Sequence, residues 1–199
     1  MRILFILLSL ISIVSCDNKF TPPDGYIELK DNSPRISTLG AIFSPPSGNK
    51  WFEKYNGESI VFVKQTDPDK ISLSAAAFEK EIKEKITSKE NFLNFVKSYK
   101  YDFTKNTSRY KNPASSFIID SSIASYCVTY KQKVDVVNDD TYKVLTIKGL
   151  ICLHPVKRNY IIDVYYTSRA IPGLDHAILT QEAEDFINSL NFDANLKNE

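Results

Sequence analysis

Apolar and polar residues alternate through positions 126–137 and again through 142–153, and this period of two predicts a long β-hairpin over 124–154. Asn138, Asp139, Asp140 and Thr141 lie between the two arms and supply turn chemistry. With the turn centred between Asp139 and Asp140, Cys127 falls opposite Cys152, Val128 opposite Ile151, Gln132 opposite Ile147 and Val134 opposite Leu145. The same register sets Tyr130 beside Gly149, where a ring can cover a residue that has no side chain to pack. It also opposes Lys131 to Lys148, a like-charge pair that must splay toward solvent or acidic neighbours.

Around the hairpin the pattern predicts shorter elements. Residues 25–30 and 35–43 read as weak strands, separated by Pro34 and followed by a rigid turn at Pro45, Pro46 and Gly48. Residues 59–64 are β-branched and aromatic and make the clearest early strand. Trp51 and Phe52, just before it, are expected to be core anchors, with an exposed binding platform as the alternative. Residues 71–75 alternate like a strand, whereas 75–85 have helical propensity, so that segment stays ambiguous. Ser88 can cap a helix over 88–99, Glu90 favours its positive end, and Phe92, Leu93, Val96 and Tyr99 form its apolar stripe. Residues 101–113 read as a polar loop in which Lys105, Arg109 and Lys111 cluster.

A strand beginning at 115–119 leads into the hairpin. After it, 160–168 forms a third antiparallel strand, with Tyr160, Ile162, Val164 and Tyr166 on one side and Asp163 turned to solvent on the other. A final helix is expected over 180–191, capped by Thr180, with Glu182 and Glu184 in its first turn and Ala183, Phe186, Ile187 and Leu190 facing inward. The expected fold class is a single α+β domain: a mainly antiparallel sheet, a meander around 124–154, covered by helices near 88–99 and 180–191. It spans 25–192 and ends in a polar tail, 193–199.

The first residues are a separate matter. Arg2 is the only charge before an apolar run of about a dozen residues, too short to span a bilayer and suited to the core of an export signal. Ile13, Val14, Ser15 and Cys16 then resemble the lipobox of bacterial lipoproteins, in which a small residue precedes a cysteine; Ile13 stands where leucine is usual. The resemblance implies a signal peptide over 1–15, lipidation of Cys16, and residues 16–24 as lipidated cysteine and tether. It makes the lipid bilayer a partner through Cys16 and places the domain in the cell envelope, facing the periplasm. Asp17 resembles the inner-membrane retention signal of lipoprotein sorting, a rule that varies between lineages, so the choice of membrane stays open.

Net charge is +1, with 25 basic and 24 acidic residues, so no nucleic-acid partner is implied. Three cysteines are present; with Cys16 acylated, an oxidising compartment leaves Cys127 and Cys152 to form a disulfide. A redox-active pair would want closer spacing or a thiolate-stabilising neighbour, and only His154, on the same face as Cys152, keeps that alternative open. No phosphate-cradling loop, nucleophile elbow or zinc-spaced cluster appears, and His154 and His176 fall in separate loops. No metal, cofactor or catalytic residue is assigned.

The order of elements, closing on an amphipathic helix before Phe192, and the Pro45, Pro46 and Gly48 turn after an early strand, are similar to the PsbP/Mog1-like α/β sandwich. That resemblance implies a non-catalytic accessory or binding protein and carries over no functional residue. The expectation is therefore an envelope lipoprotein that binds or assists an envelope protein partner and is not an enzyme. The alternatives are a small-ligand binder with an aromatic pocket near Trp51, or an envelope hydrolase with a scattered active site.

Overall fold

The computed structural model describes residues 21–67, 70–105, 109–137, 139, 144–171, 174 and 177–193. Cys16, Asp17, the expected export signal, most of the hairpin turn, His176 and the tail beyond 193 lie outside them. Eleven strands and two helices follow in chain order: β1 (Ile27–Glu28), β2 (Arg35–Ile36), β3 (Ala41–Phe43), β4 (Trp51–Asn56), β5 (Ser59–Lys64), β6 (Ile71–Glu81), α1 (Lys89–Lys105), β7 (Tyr110–Asp120), β8 (Cys127–Val136), β9 (Val144–Leu153), β10 (Tyr160–Ala170), α2 (Ala177–Asn188) and β11 (Asn191–Phe192). Eight strands form one antiparallel sheet in the order β1-β4-β5-β6-β10-β9-β8-β7, and β11-β3-β2 form a second, smaller one.

This corrects the expected helix-covered α+β domain of PsbP/Mog1 type. Among the described residues the fold is mostly antiparallel β, with two short helices. Most of the difference comes from two segments. Residues 71–81 form one long strand, because alternation puts Leu73, Ala75 and Ala77 in the core on one face and the β5 and β10 ladders on either side outweigh the helix propensity of alanine. Part of the expected polar loop, from Tyr110 onward, is strand β7, and the loop's beginning continues α1 to Lys105.

The hairpin has the register that its pattern predicts. Cys127 pairs with Cys152, Val128 with Ile151, Tyr130 with Gly149, Gln132 with Ile147 and Val134 with Leu145. Cys127 and Cys152 form a disulfide across the ladder, their Cα atoms 4.1 Å apart. Of the like-charged pair, Lys148 turns to Glu184 on α2 while Lys131 is exposed.

The core has two halves, one on each face of the large sheet. On one face, Phe43, Phe62, Ile162, Val164 and Tyr166 pack with Ala183, Phe186 and Ile187 of α2, and the small sheet completes that layer. On the other, Phe92 and Val96 of α1 pack with Val128, Tyr130, Ile147 and Ile151. Ser88 Oγ accepts from Asn91 N at 3.0 Å, so the predicted cap starts α1. α2 begins at Ala177, three residues before the expected start, which puts Thr180 inside the helix rather than at its cap.

Gly149 is where the register is least forgiving. A Cβ there would lie 2.5 Å from Tyr130 Cζ, and the Tyr130 ring is held by the stacked Phe117 ring and by its hydroxyl bond to Asp163. Gly149→Ala is expected to lower the urea-unfolding free energy by about 1–3 kcal/mol through overpacking. The penalty should shrink in a Tyr130→Val background; strictly additive losses would show that the ring does not set it.

Candidate functional site

Along β10, Asp163, Tyr165, Thr167 and Arg169 fall on one face by the two-residue period of a strand. All four line a cavity of about 440 Å³. In register beside them stand Leu145 and Ile147 from β9, and Ser72, Ser74 and Phe78 from β6, with Val63 from β5 beyond. The small β6 side chains help leave the space open. α1 supplies one wall through Tyr99 and Lys100.

Lys100 continues the Phe92 and Val96 row of α1 at the next i+4 position, so it points into the sheet rather than away from it. Its Nζ lies 2.6 Å from Asp163 Oδ2, and the Tyr130 hydroxyl donates to Asp163 Oδ1 at 2.9 Å. Lys100 is 8% exposed and Asp163 3%. The ammonium also sits 4.3 Å from the Tyr130 ring centroid, 5.3 Å from Tyr165 and 5.4 Å from Tyr99. Three negative ring faces thus replace part of the water that the charge has lost. Phe78 stacks on Tyr165, centroids 5.6 Å apart, and extends the aromatic wall.

Burial, with the Asp163 carboxylate nearby, pushes the Tyr99 phenol up to about 12. Burial first and the same carboxylate second raise Tyr130 and Tyr165 too. All three rings therefore stay neutral at physiological pH, and the charges of Lys100 and Asp163 cancel. Arg169, half-buried, forms none of the salt bridges found among the described residues. Gln132 is 1% exposed. Its Nε2 donates to the Lys100 carbonyl and to Ser115 Oγ, both at 3.3 Å. Its Oε1 is buried and accepts no hydrogen bond among the described residues.

Most of the residues singled out from sequence lie elsewhere. Trp51 is 1% exposed. Its Nε1 donates to the Ser47 carbonyl and to Glu182 Oε1, both at 3.0 Å, and its ring meets Tyr166 edge-on, so it is a core anchor and not a platform. Phe52, the next residue on β4, faces the other way and shares a cross-strand row with Val63 and Ser74 of the cavity. His154 is buried: its Nδ1 accepts from Val156 N and Lys157 N, which leaves Nε2–H to donate to the Leu39 carbonyl at 3.0 Å. A ring with both nitrogens committed has nothing left for a metal or a thiol. Among the described residues no group of three or more His, Cys, Asp or Glu side chains is placed to hold a metal ion. Among them, too, no helix is long and apolar enough to cross a membrane.

Asp163 corrects the solvent-facing assignment. Its strand is central in the sheet and covered on both faces, and the nearly continuous apolar run from Tyr160 to Tyr166 was the available signal for that. Lys100 is polar and unremarkable in one dimension, the i+4 step from Val96 being the clue to its burial, and the hairpin register places Gln132 opposite Ile147 without marking it as a site residue. The chain matches no protein-family model and no curated protein.

The buried pair predicts strong coupling. Lys100→Met or Asp163→Leu alone should cost about 3–5 kcal/mol, since each strands the other charge, while the double variant should cost far less than the sum. A urea-denaturation double-mutant cycle reads this directly, and additive single losses would refute the coupling.

Proposed function

We propose that the chain is an envelope lipoprotein, held to the bilayer through lipidated Cys16 and facing the periplasm, whose domain is a non-catalytic module that binds a small ligand in the cavity over β10. The observation that carries the binding half is the cavity itself: about 440 Å³, lined about equally by apolar or aromatic residues and by polar or charged ones, within the size range of small-molecule sites. A non-catalytic role is supported by the state of its ionisable groups. Both Asp163 oxygens already accept hydrogen bonds and Lys100 is paired to one of them, so neither is poised to move a proton to a substrate. The lipid anchor is supported by the lipobox-like residues 13–16. Two acyl chains give stable attachment at about 0.8 kcal/mol per buried methylene. The tether from Asp17 to Asp24 would hold the domain within about 25 Å of the surface.

A protein partner is the second reading, favoured by the sheet edge. β7 is the outermost strand, and its Ile118 side chain is 65% exposed, so the edge offers backbone groups and an apolar contact to an added strand.

Three experiments test these readings. Cys16→Ser should move the protein out of the membrane fraction and abolish metabolic palmitate labelling; unchanged fractionation and labelling would remove the lipoprotein reading. In wild-type cells a photo-cross-linker at Ile118 should capture one defined envelope protein if β7 is a docking edge, and no such product if it is not. For the cavity, Ser72→Phe projects a ring into the space without deleting any hydrogen bond found for Ser72. In a thermal-shift screen of periplasmic metabolites, ligands that stabilise the wild type should lose their effect in this variant; no hit, or hits indifferent to it, would count against ligand binding here.

A further inference from the structure

We propose that the cavity over β10 takes a small organic anion that also carries a hydrogen-bond donor, with Arg169 meeting the anionic group and Gln132 Oε1 accepting from the donor. This deepens the binding-module reading and rests on it.

The acceptor is the firmer half. Buried carbonyl oxygens are nearly always hydrogen-bonded, whereas Gln132 Oε1 has no hydrogen-bond donor among the described residues. Rotating the amide would not relieve it. The flip would place the oxygen against the Lys100 carbonyl, now the acceptor for Nε2, and two acceptors would then face each other. The orientation is therefore set: Gln132 lines the cavity, and its buried Oε1 is an acceptor lacking a donor among the described residues. An O–H or N–H on a ligand supplies one.

The charge follows by elimination within the lining. Lys100 and Asp163 neutralise each other at 2.6 Å. The Ser74 and Thr167 hydroxyls bond to each other at 2.6 Å. Arg169 is left as a cationic wall group with no salt bridge among the described residues, and its planar fork suits a carboxylate.

Sheet geometry sets the span. Gln132 shares a cross-strand row with Ile147 and Thr167, and Arg169 lies two strands across and one row further on. At ~4.8 Å per strand and ~3.4 Å per residue the two Cα atoms are ~12 Å apart. Both residues line the same cavity, so the ligand's polar ends are separated by a body of metabolite size. Leu145, Ile147 and Phe78 offer that body an apolar bed.

A matched set of probes tests the proposal on the full-length protein by ligand-observed NMR: 3-(4-hydroxyphenyl)propionate has both features, 3-phenylpropionate lacks the donor, and 4-propylphenol lacks the anion. The first should bind about tenfold more tightly than either of the others. Arg169→Gln should erase its advantage over 4-propylphenol, with Arg169→Lys retaining most of it. Gln132→Leu should erase its advantage over 3-phenylpropionate. Should that variant fail to fold, the wild-type comparison of these two acids still decides the donor half. Equal affinity for all three probes, or binding of none, overturns the proposal. In either case, metabolite hits abolished by Ser72→Phe would leave the binding module standing, and their absence would remove it as well.

Discussion

The ion pair between Lys100 and Asp163 is the constraint on which the α1 side of the molecule depends. It joins a helix to the central strand of an eight-stranded sheet across β8 and β9, where both charges are largely buried. Such a pair survives only if every remaining lone pair and proton is accommodated. The Tyr130 hydroxyl takes the second carboxylate oxygen, and the faces of Tyr99, Tyr130 and Tyr165 surround the ammonium. The Tyr130 ring, in turn, lies where a side chain on residue 149 would be. A glycine in β9 is thus linked through one tyrosine to the placement of a helix two strands away.

The opposite face is built on a similar anchor with a different result. Glu182 of α2 accepts from Trp51 Nε1, from Lys64 Nζ and from the Tyr166 hydroxyl, so one carboxylate pins the second helix to β4, β5 and β10. There the small sheet and α2 together fill the space over the strands, and Phe43, Phe62 and Phe186 interlock edge-to-face. On the α1 face one helix spans only the β7 and β8 side, and β6 offers serine and alanine where it could have offered bulk. The cavity is the consequence of covering a wide sheet with a single helix.

The hairpin register was legible residue by residue because two periodic arms and one turn leave a single pairing that buries Val128, Val134 and Leu145 together. Glycine beside tyrosine added an independent constraint, and the cysteine pair agreed with both. The extent of β6 was not legible, since alanine favours helix and only the neighbouring strands override that preference. The site was hidden for a related reason. Asp163, Gln132 and Lys100 belong to three separate elements far apart in the chain; they become one site only because the sheet brings β10 and β8 onto one face and α1 packs across it. Trp51, conspicuous in one dimension, is a core residue in three.

That contrast bears on where specificity would reside. The most conspicuous charges in the cavity wall are the least available to a ligand: each Asp163 oxygen has its donor, the Lys100 ammonium has its carboxylate and its rings, and breaking either contact would cost more than a ligand in a half-open site could return. The groups with capacity to spare are Gln132 Oε1 and Arg169. A bound molecule would therefore be selected by a neutral amide and by a cation at the side of the cavity, with the buried pair serving to hold Gln132 in place, since the Lys100 carbonyl is what fixes its amide. The ion pair would then act on recognition through geometry alone: it sets the helix, the helix sets the amide, and the amide would meet a bound molecule.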